Sequence, residues 1–202
     1  MKINHHMKTL HKGLIAVFGL LIWPTHAAAH LVTTGLGQVY DGIGHLVMTP
    51  KDLIPALAIA FFAGLRGAAP DRRALFILPL AWFAGGILGV VIEDLPTFPA
   101  AGISFVVLGV LIAADLKLSQ KLFTAIVVVV GFVHGVLNGV ALKEGAGILG
   151  LIGIMATLFV IVAIVSAFIL SLKKTWTRIV VRVAGSWVAA IGMLMFGWLM
   201  RG

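Results

Sequence analysis

Two pairs of side chains able to coordinate a metal sit four residues apart in this chain: Asp41 with His45, and His134 with Asn138. Four residues is about one helical turn, so each pair shares a helix face and both members can reach the same ion. The second pair interrupts an apolar run over 125–141, Ala-Ile-Val-Val-Val-Val-Gly-Phe-Val-His-Gly-Val-Leu-Asn-Gly-Val-Ala. With its flanks that run is long enough to cross a bilayer. Polar side chains at such depth are costly and face a bundle interior, a cavity or a pathway. The competing role for His134 and Asn138 is hydrogen bonding between helices. The chain has no cysteine, so any ligands are imidazole, carboxylate, amide or backbone oxygen. That set suits nickel, cobalt, zinc or manganese better than Cu(I).

The elements that must position these groups follow from composition. With 202 residues, 11% charged and a mean hydropathy of +1.14, the chain reads as an all-α integral membrane protein. Residues 1–29 read as a signal peptide. Lys2, Lys8 and Lys12 form a basic start, 13–23 an apolar core, Pro24 a break, and Ala27-Ala28-Ala29 a cleavage site. An uncleaved first helix is the alternative. Cleavage would make His30 the N-terminus, where its imidazole and free amine can chelate, although a solvated terminal histidine is the commoner outcome. His5, His6 and His11 would leave with the peptide. Residues 30–202 then form one polytopic domain with six apolar spans near 53–66, 74–92, 99–115, 121–142, 147–172 and 179–200.

Charge orients the bundle. With the mature N-terminus outside, the connections at 66–73, 115–121 and 173–178, together with Arg182, carry nine Lys/Arg on the cytoplasmic side, against Lys51, Lys143 and Arg201 outside. This asymmetry follows the positive-inside rule and places the protein in a bacterial inner membrane with a periplasmic N-terminus. Membrane orientation thus accounts for the high isoelectric point, and nucleic acid is not an expected partner; the lipid bilayer is. Asp41, Asp52, Glu93, Asp94 and Glu144 collect on the outer side, where they can concentrate cations or simply occupy ground from which basic residues are excluded.

Segment 31–52 is too polar and glycine-rich for a lipid-exposed span, so a short outer-side polar helix or re-entrant piece is expected there. Thr49-Pro50-Lys51-Asp52 reads as a helix start, with Thr as N-cap, Pro at N1 and Asp at N3. Asp52 is therefore a candidate ligand and equally a candidate for satisfying free backbone donors. Gly131, Gly135 and Gly139 form a ridge that lets another helix approach His134 and Asn138 closely. Trp82, Trp187 and Trp198 read as packing or interfacial anchors.

The run over 51–65, Lys-Asp-Leu-Ile-Pro-Ala-Leu-Ala-Ile-Ala-Phe-Phe-Ala-Gly-Leu, and the run over 78–89, Leu-Pro-Leu-Ala-Trp-Phe-Ala-Gly-Gly-Ile-Leu-Gly, resemble the HupE/UreJ family of nickel and cobalt permeases. The likeness extends over most of the mature chain. The family pattern is an early His, five residues, then Asp-His, and later His-Gly-x-x-His-Gly. His45 resembles the early His, with six residues before Asp52, and Leu53 replaces the next His. His134-Gly-Val-Leu-Asn138-Gly resembles the later motif, with Asn138 at its second His. The resemblance implies a divergent branch with His45, Asp52, His134 and Asn138 at its metal-ligand positions; Asp41, which the family pattern lacks, and His30, at the cleaved terminus, complete the candidate set.

The resulting expectation is a secondary permease for a divalent transition metal, nickel or cobalt, which is cargo; no resident cofactor is expected. No Gly-rich phosphate loop is present, so gradients or membrane potential would supply energy. Without H-E-x-x-H or a Ser/His arrangement of suggestive spacing, the chain is not read as an enzyme. The alternative on the same fold is a non-transporting accessory or metal-sensing protein. A homo-oligomer is compatible with this reading, and nothing in the sequence identifies a metalloenzyme-maturation partner.

Overall fold

The computed structural model describes residues 33–201 apart from Asp94 and Thr97. The signal segment, its cleavage site, His30 and Asp94 lie outside the described residues. The described residues form seven helices and no strand: α1 Gln38–Met48, α2 Pro50–Arg66, α3 Ala68–Val91, α4 Ala100–Ala113, α5 Gln120–Leu142, α6 Gly147–Ser171 and α7 Thr175–Leu199.

Four of them, α3, α5, α6 and α7, are each long and apolar enough to cross a membrane. α1 and α2 meet that test only together, as a pair bent by 77°. The bend falls at Thr49, whose extended backbone (φ −110°, ψ 91°) precedes Pro50 at the first helical position. Proline cannot supply the backbone donor that would carry α1 onward. The expected segment 99–115 forms α4, of 14 residues and so about 21 Å long, short of a hydrocarbon core of about 30 Å. Sequence alone suggested six spans; the described helices provide four, or five with the broken pair.

The three basic connections meet at one end. Arg66, at the end of α2, pairs with Asp115 after α4 and donates to the Leu116 carbonyl at 3.0 Å. Arg178 reaches the other oxygen of Asp115 at 3.3 Å, and Arg182 donates to the Ala113 carbonyl at 2.8 Å. Gly67 joins α2 to α3 with φ 107°, a conformation that side chains with a Cβ rarely adopt. At the opposite end Lys143 donates to the Glu93 carbonyl at 2.7 Å, and Gln38 to that of Gly145 at 3.4 Å.

Glycine sets the tightest contacts, as the ridge on α5 leads one to expect. A Cβ at Gly135 would lie closer than 3.0 Å to the Trp82 carbonyl, and one at Gly139 would meet Gly86 in the same way. Gly85 and Gly89 return the arrangement from α3 toward Phe132 and Val136. α3 and α5 are thus locked backbone to backbone, which fixes the level of His134 against α3.

Candidate functional site

His134, on α5, is fully buried, and Asp52 and Asn138 are 1% exposed. Asp52 sits in the first turn of α2, just beyond the bend. Its Oδ1 lies 2.9 Å from His134 Nδ1. A carboxylate is acceptor-only, so Nδ1 carries the proton and donates to Asp52. His134 Nε2 faces the Ser104 hydroxyl of α4 at 3.0 Å. In the neutral form of the ring Nε2 carries a lone pair, which can accept from Ser104 and is equally suited to a metal. The Trp82 indole of α3 stacks on the imidazole with centroids 5.3 Å apart. It covers one ring face and limits rotation.

Four buried polar atoms around this pair have no hydrogen-bond partner among the described residues: Asp52 Oδ2, Asn138 Oδ1, His45 Nε2 and Trp82 Nε1. Asn138 follows His134 by one helical turn. His45 lies on α1, with Asp52 close enough to act on it electrostatically. Buried polar groups are nearly always satisfied, and an unsatisfied one calls for a physical explanation. Here two of the four, Asp52 Oδ2 and Asn138 Oδ1, are purely acceptors, so what they lack is a donor or a cation.

The structure sorts the sequence candidates. It brings Asp52 to His134 and buries Asn138 on the same helix face. It does not bring Asp41 there: that carboxylate accepts from the Thr34 backbone at 2.5 Å and the Thr34 hydroxyl at 2.7 Å, closing the turn before α1. Asp52 does not cap α2. Its Oδ1 goes to His134 and its Oδ2 has no partner, while Thr49 also makes no side-chain cap bond. Among the described residues, no three His, Cys, Asp or Glu side chains gather in metal-holding positions; an amide and a hydroxyl complete the cluster.

Sequence reasoning missed Ser104 and gave Trp82 a packing role only. Ser104 is the single polar side chain in α4, a signal that was available. The stacking of Trp82 on His134 depends on the glycine-set register of α3 against α5 and had no local signal.

The family model described as HupE / UreJ protein matches residues 18–195. The chain is similar to Protein HupE of Rhizobium leguminosarum bv. viciae, with 26% identity over 184 residues, covering 85% of this chain and 91% of that protein. No solved structure matches it. By the extent of the family match, this chain is a member of the HupE/UreJ family.

Proposed function

We propose that this protein is a permease for a divalent transition metal, nickel or cobalt, in the bacterial inner membrane. The observation that carries the reading is the set of buried, unpartnered acceptors beside the oriented imidazole of His134. A bare buried carboxylate is expensive, and a cation beside it repays desolvation on both sides. Glu93 and Glu144, near the outer end of the bundle, would raise the local cation concentration. Asp52, Asn138 and the Nε2 lone pair of His134 would replace part of the hydration shell, with His45 on the approach. One carboxylate and an amide hold an ion less tightly than several imidazoles, which favours release over storage. In this reading α4 is a sixth, short crossing, the basic connections face the cytoplasm, and residues 1–29 are removed on export.

The test is elemental analysis of cells expressing the wild type or His134→Ala, each supplied with traces of Ni, Co, Mn, Zn and Cu. Nickel or cobalt is expected to accumulate with the wild type alone. Equal content in both, with both proteins in the membrane, would contradict transport through His134. Saturable binding by purified protein without accumulation would indicate an accessory or sensing role. A second variant probes selectivity. Asn138→His adds an imidazole one turn from His134 and is expected to move accumulation toward nickel over manganese by about tenfold, because imidazole favours the later metal. An unchanged ratio would remove Asn138 from the ligand set.

A further inference from the structure

The helices fall into two groups by the way they touch. α3 with α5, and α1 with α6, meet backbone to backbone through Gly85, Gly89, Gly135 and Gly139, and through Gly42 and Gly153. α4 and α7 are locked to each other in the same manner at Gly109 and Gly185. Among the described residues no glycine makes such a contact between the α4–α7 pair and the rest. α4 leans on α2 and touches α5 only sparsely. Toward the inner half Leu108, Ile112 and Val181 join the common core across the seam, whereas its outer end and its flanks hold open space. A cavity of about 550 Å³ separates Ala101 and Met195 from Leu137 and Ala141 at the outer end. A groove of about 400 Å³ lies between α4 and α5, and one of about 530 Å³ separates α7 from α2 and α6. Closely packed interfaces resist displacement, whereas a loosely filled one admits rigid-body movement.

Polar links across this seam, among the described residues, occur at two levels. At the inner end Arg66 of α2 crosses to Asp115 and the Leu116 carbonyl, and Arg178 of α7 joins the same carboxylate from within the α4–α7 pair. Nearer the outer end the Ser104 hydroxyl meets His134 Nε2 at 3.0 Å. The first is a network of charges and the second a single hydrogen bond from one hydroxyl, which is worth far less.

We propose that α4 and α7 move as one body against the other five helices, hinged at the Arg66–Asp115–Arg178 end, and that Ser104 is the gating residue. In the closed arrangement its hydroxyl occupies the Nε2 lone pair of His134. When the pair swings outward, Ser104 withdraws and the outer cavity opens onto that nitrogen. The role of this movement in metal passage rests on the permease reading above; the movement itself does not.

The chain has no cysteine, so introduced thiols are the sole labelling sites. Nitroxides at Ile148→Cys on α6 and Gly197→Cys on α7 report across the seam in the purified full chain. A pair at Tyr40→Cys and Ile148→Cys lies within the locked α1–α6 unit and serves as reference. Pulsed electron paramagnetic resonance is expected to find a second, longer Ile148–Gly197 distance, raised about three- to tenfold in population by Ser104→Ala, the range expected for loss of one neutral hydrogen bond. Ser104→Thr, which keeps the hydroxyl, should behave as the wild type, and the reference distance should not change. One narrow Ile148–Gly197 distance, identical in the wild type and Ser104→Ala, would overturn the proposal.

The functional arm uses Ala101→Cys with Leu137→Cys. These positions face each other across the outer cavity, each three residues outward from the Ser104–His134 contact. Bridging them with a short, reducible bis-thiosulfonate should lower metal uptake about tenfold or more, with recovery on reduction. Gly102→Cys with Met195→Cys lies inside the α4–α7 pair, where a Cβ at 102 is 3.7 Å from that of Met195, a separation suited to a disulfide. That bridge should leave uptake unchanged. Full uptake with the seam bridged would refute the gate. A second distance in a wild type that accumulates no metal would support the movement and remove its assigned cargo.

Discussion

Asp52→Asn is expected to lower metal uptake about 10- to 100-fold while leaving the protein folded, the range typical when a group that orients a metal-binding histidine is lost. The carboxylate accepts from His134 Nδ1 and so keeps the Nε2 lone pair available. An asparagine amide can instead donate to Nδ1. It would then favour the proton on Nε2, where it points at Ser104 and occupies the position a metal needs. The substitution also removes the negative charge that partly balances an incoming divalent ion. The side-chain contact survives as a neutral hydrogen bond, so stability should change by only about 1 kcal/mol. Uptake in cells, and calorimetric titration of the purified protein with Ni²⁺, check both halves. Were Asp52 chiefly a helix cap, the outcome would invert, with uptake kept and melting temperature lowered. The absence of any cap bond from its side chain argues against that outcome.

The parts legible in the sequence were those governed by local chemistry or by the thickness of the bilayer. The ends of α5, α6 and α7 fall close to the expected spans because apolar length is itself the constraint. Thr49-Pro50 marks the start of α2 because proline fixes backbone geometry irrespective of tertiary context. The basic connections converge at one end, as their shared charge led one to expect. What could not be read is register. Asp52 and His134 are 82 residues apart in sequence, and nothing local to either indicates that the first turn of α2 lies level with the middle of α5. Asp41 shows the opposite case, a local contact that spacing along the helix does not reveal. Its spacing from His45 is correct for one helix face, yet a nearer partner, Thr34, takes its carboxylate. The hydroxyl of Ser104 was visible as the lone polar group of α4, but its meaning depended on the same long-range alignment.

The second large effect concerns that alignment. Gly135→Ala is expected to abolish metal uptake and to destabilise the purified protein by about 1–3 kcal/mol or more, the usual cost of overpacking. An added methyl would meet the Trp82 carbonyl and Cα at under 3.0 Å. These are backbone atoms, and no side-chain rotation can relieve the clash. α3 must shift away from α5, carrying with it the indole that stacks on His134. Gly139→Ala should behave similarly, since it would meet the Gly86 carbonyl. Gly131→Ala should be milder, because its Cβ would lie 3.1 Å from the Ala81 Cβ and the Leu78 carbonyl, a conflict that a small displacement relieves. Gly197→Ala faces open space and should be neutral. Thermal melts in detergent, paired with uptake in cells, would rank the four substitutions. If stability falls in that order while uptake is lost only at Gly135 and Gly139, the glycine ridge acts on the site through the position of Trp82 and not merely on the bundle. Equal losses at Gly131, Gly135 and Gly139, with Gly197→Ala on α7 neutral, would mean that α5 tolerates no added volume anywhere, and the specific link between helix register and the histidine would have to be abandoned.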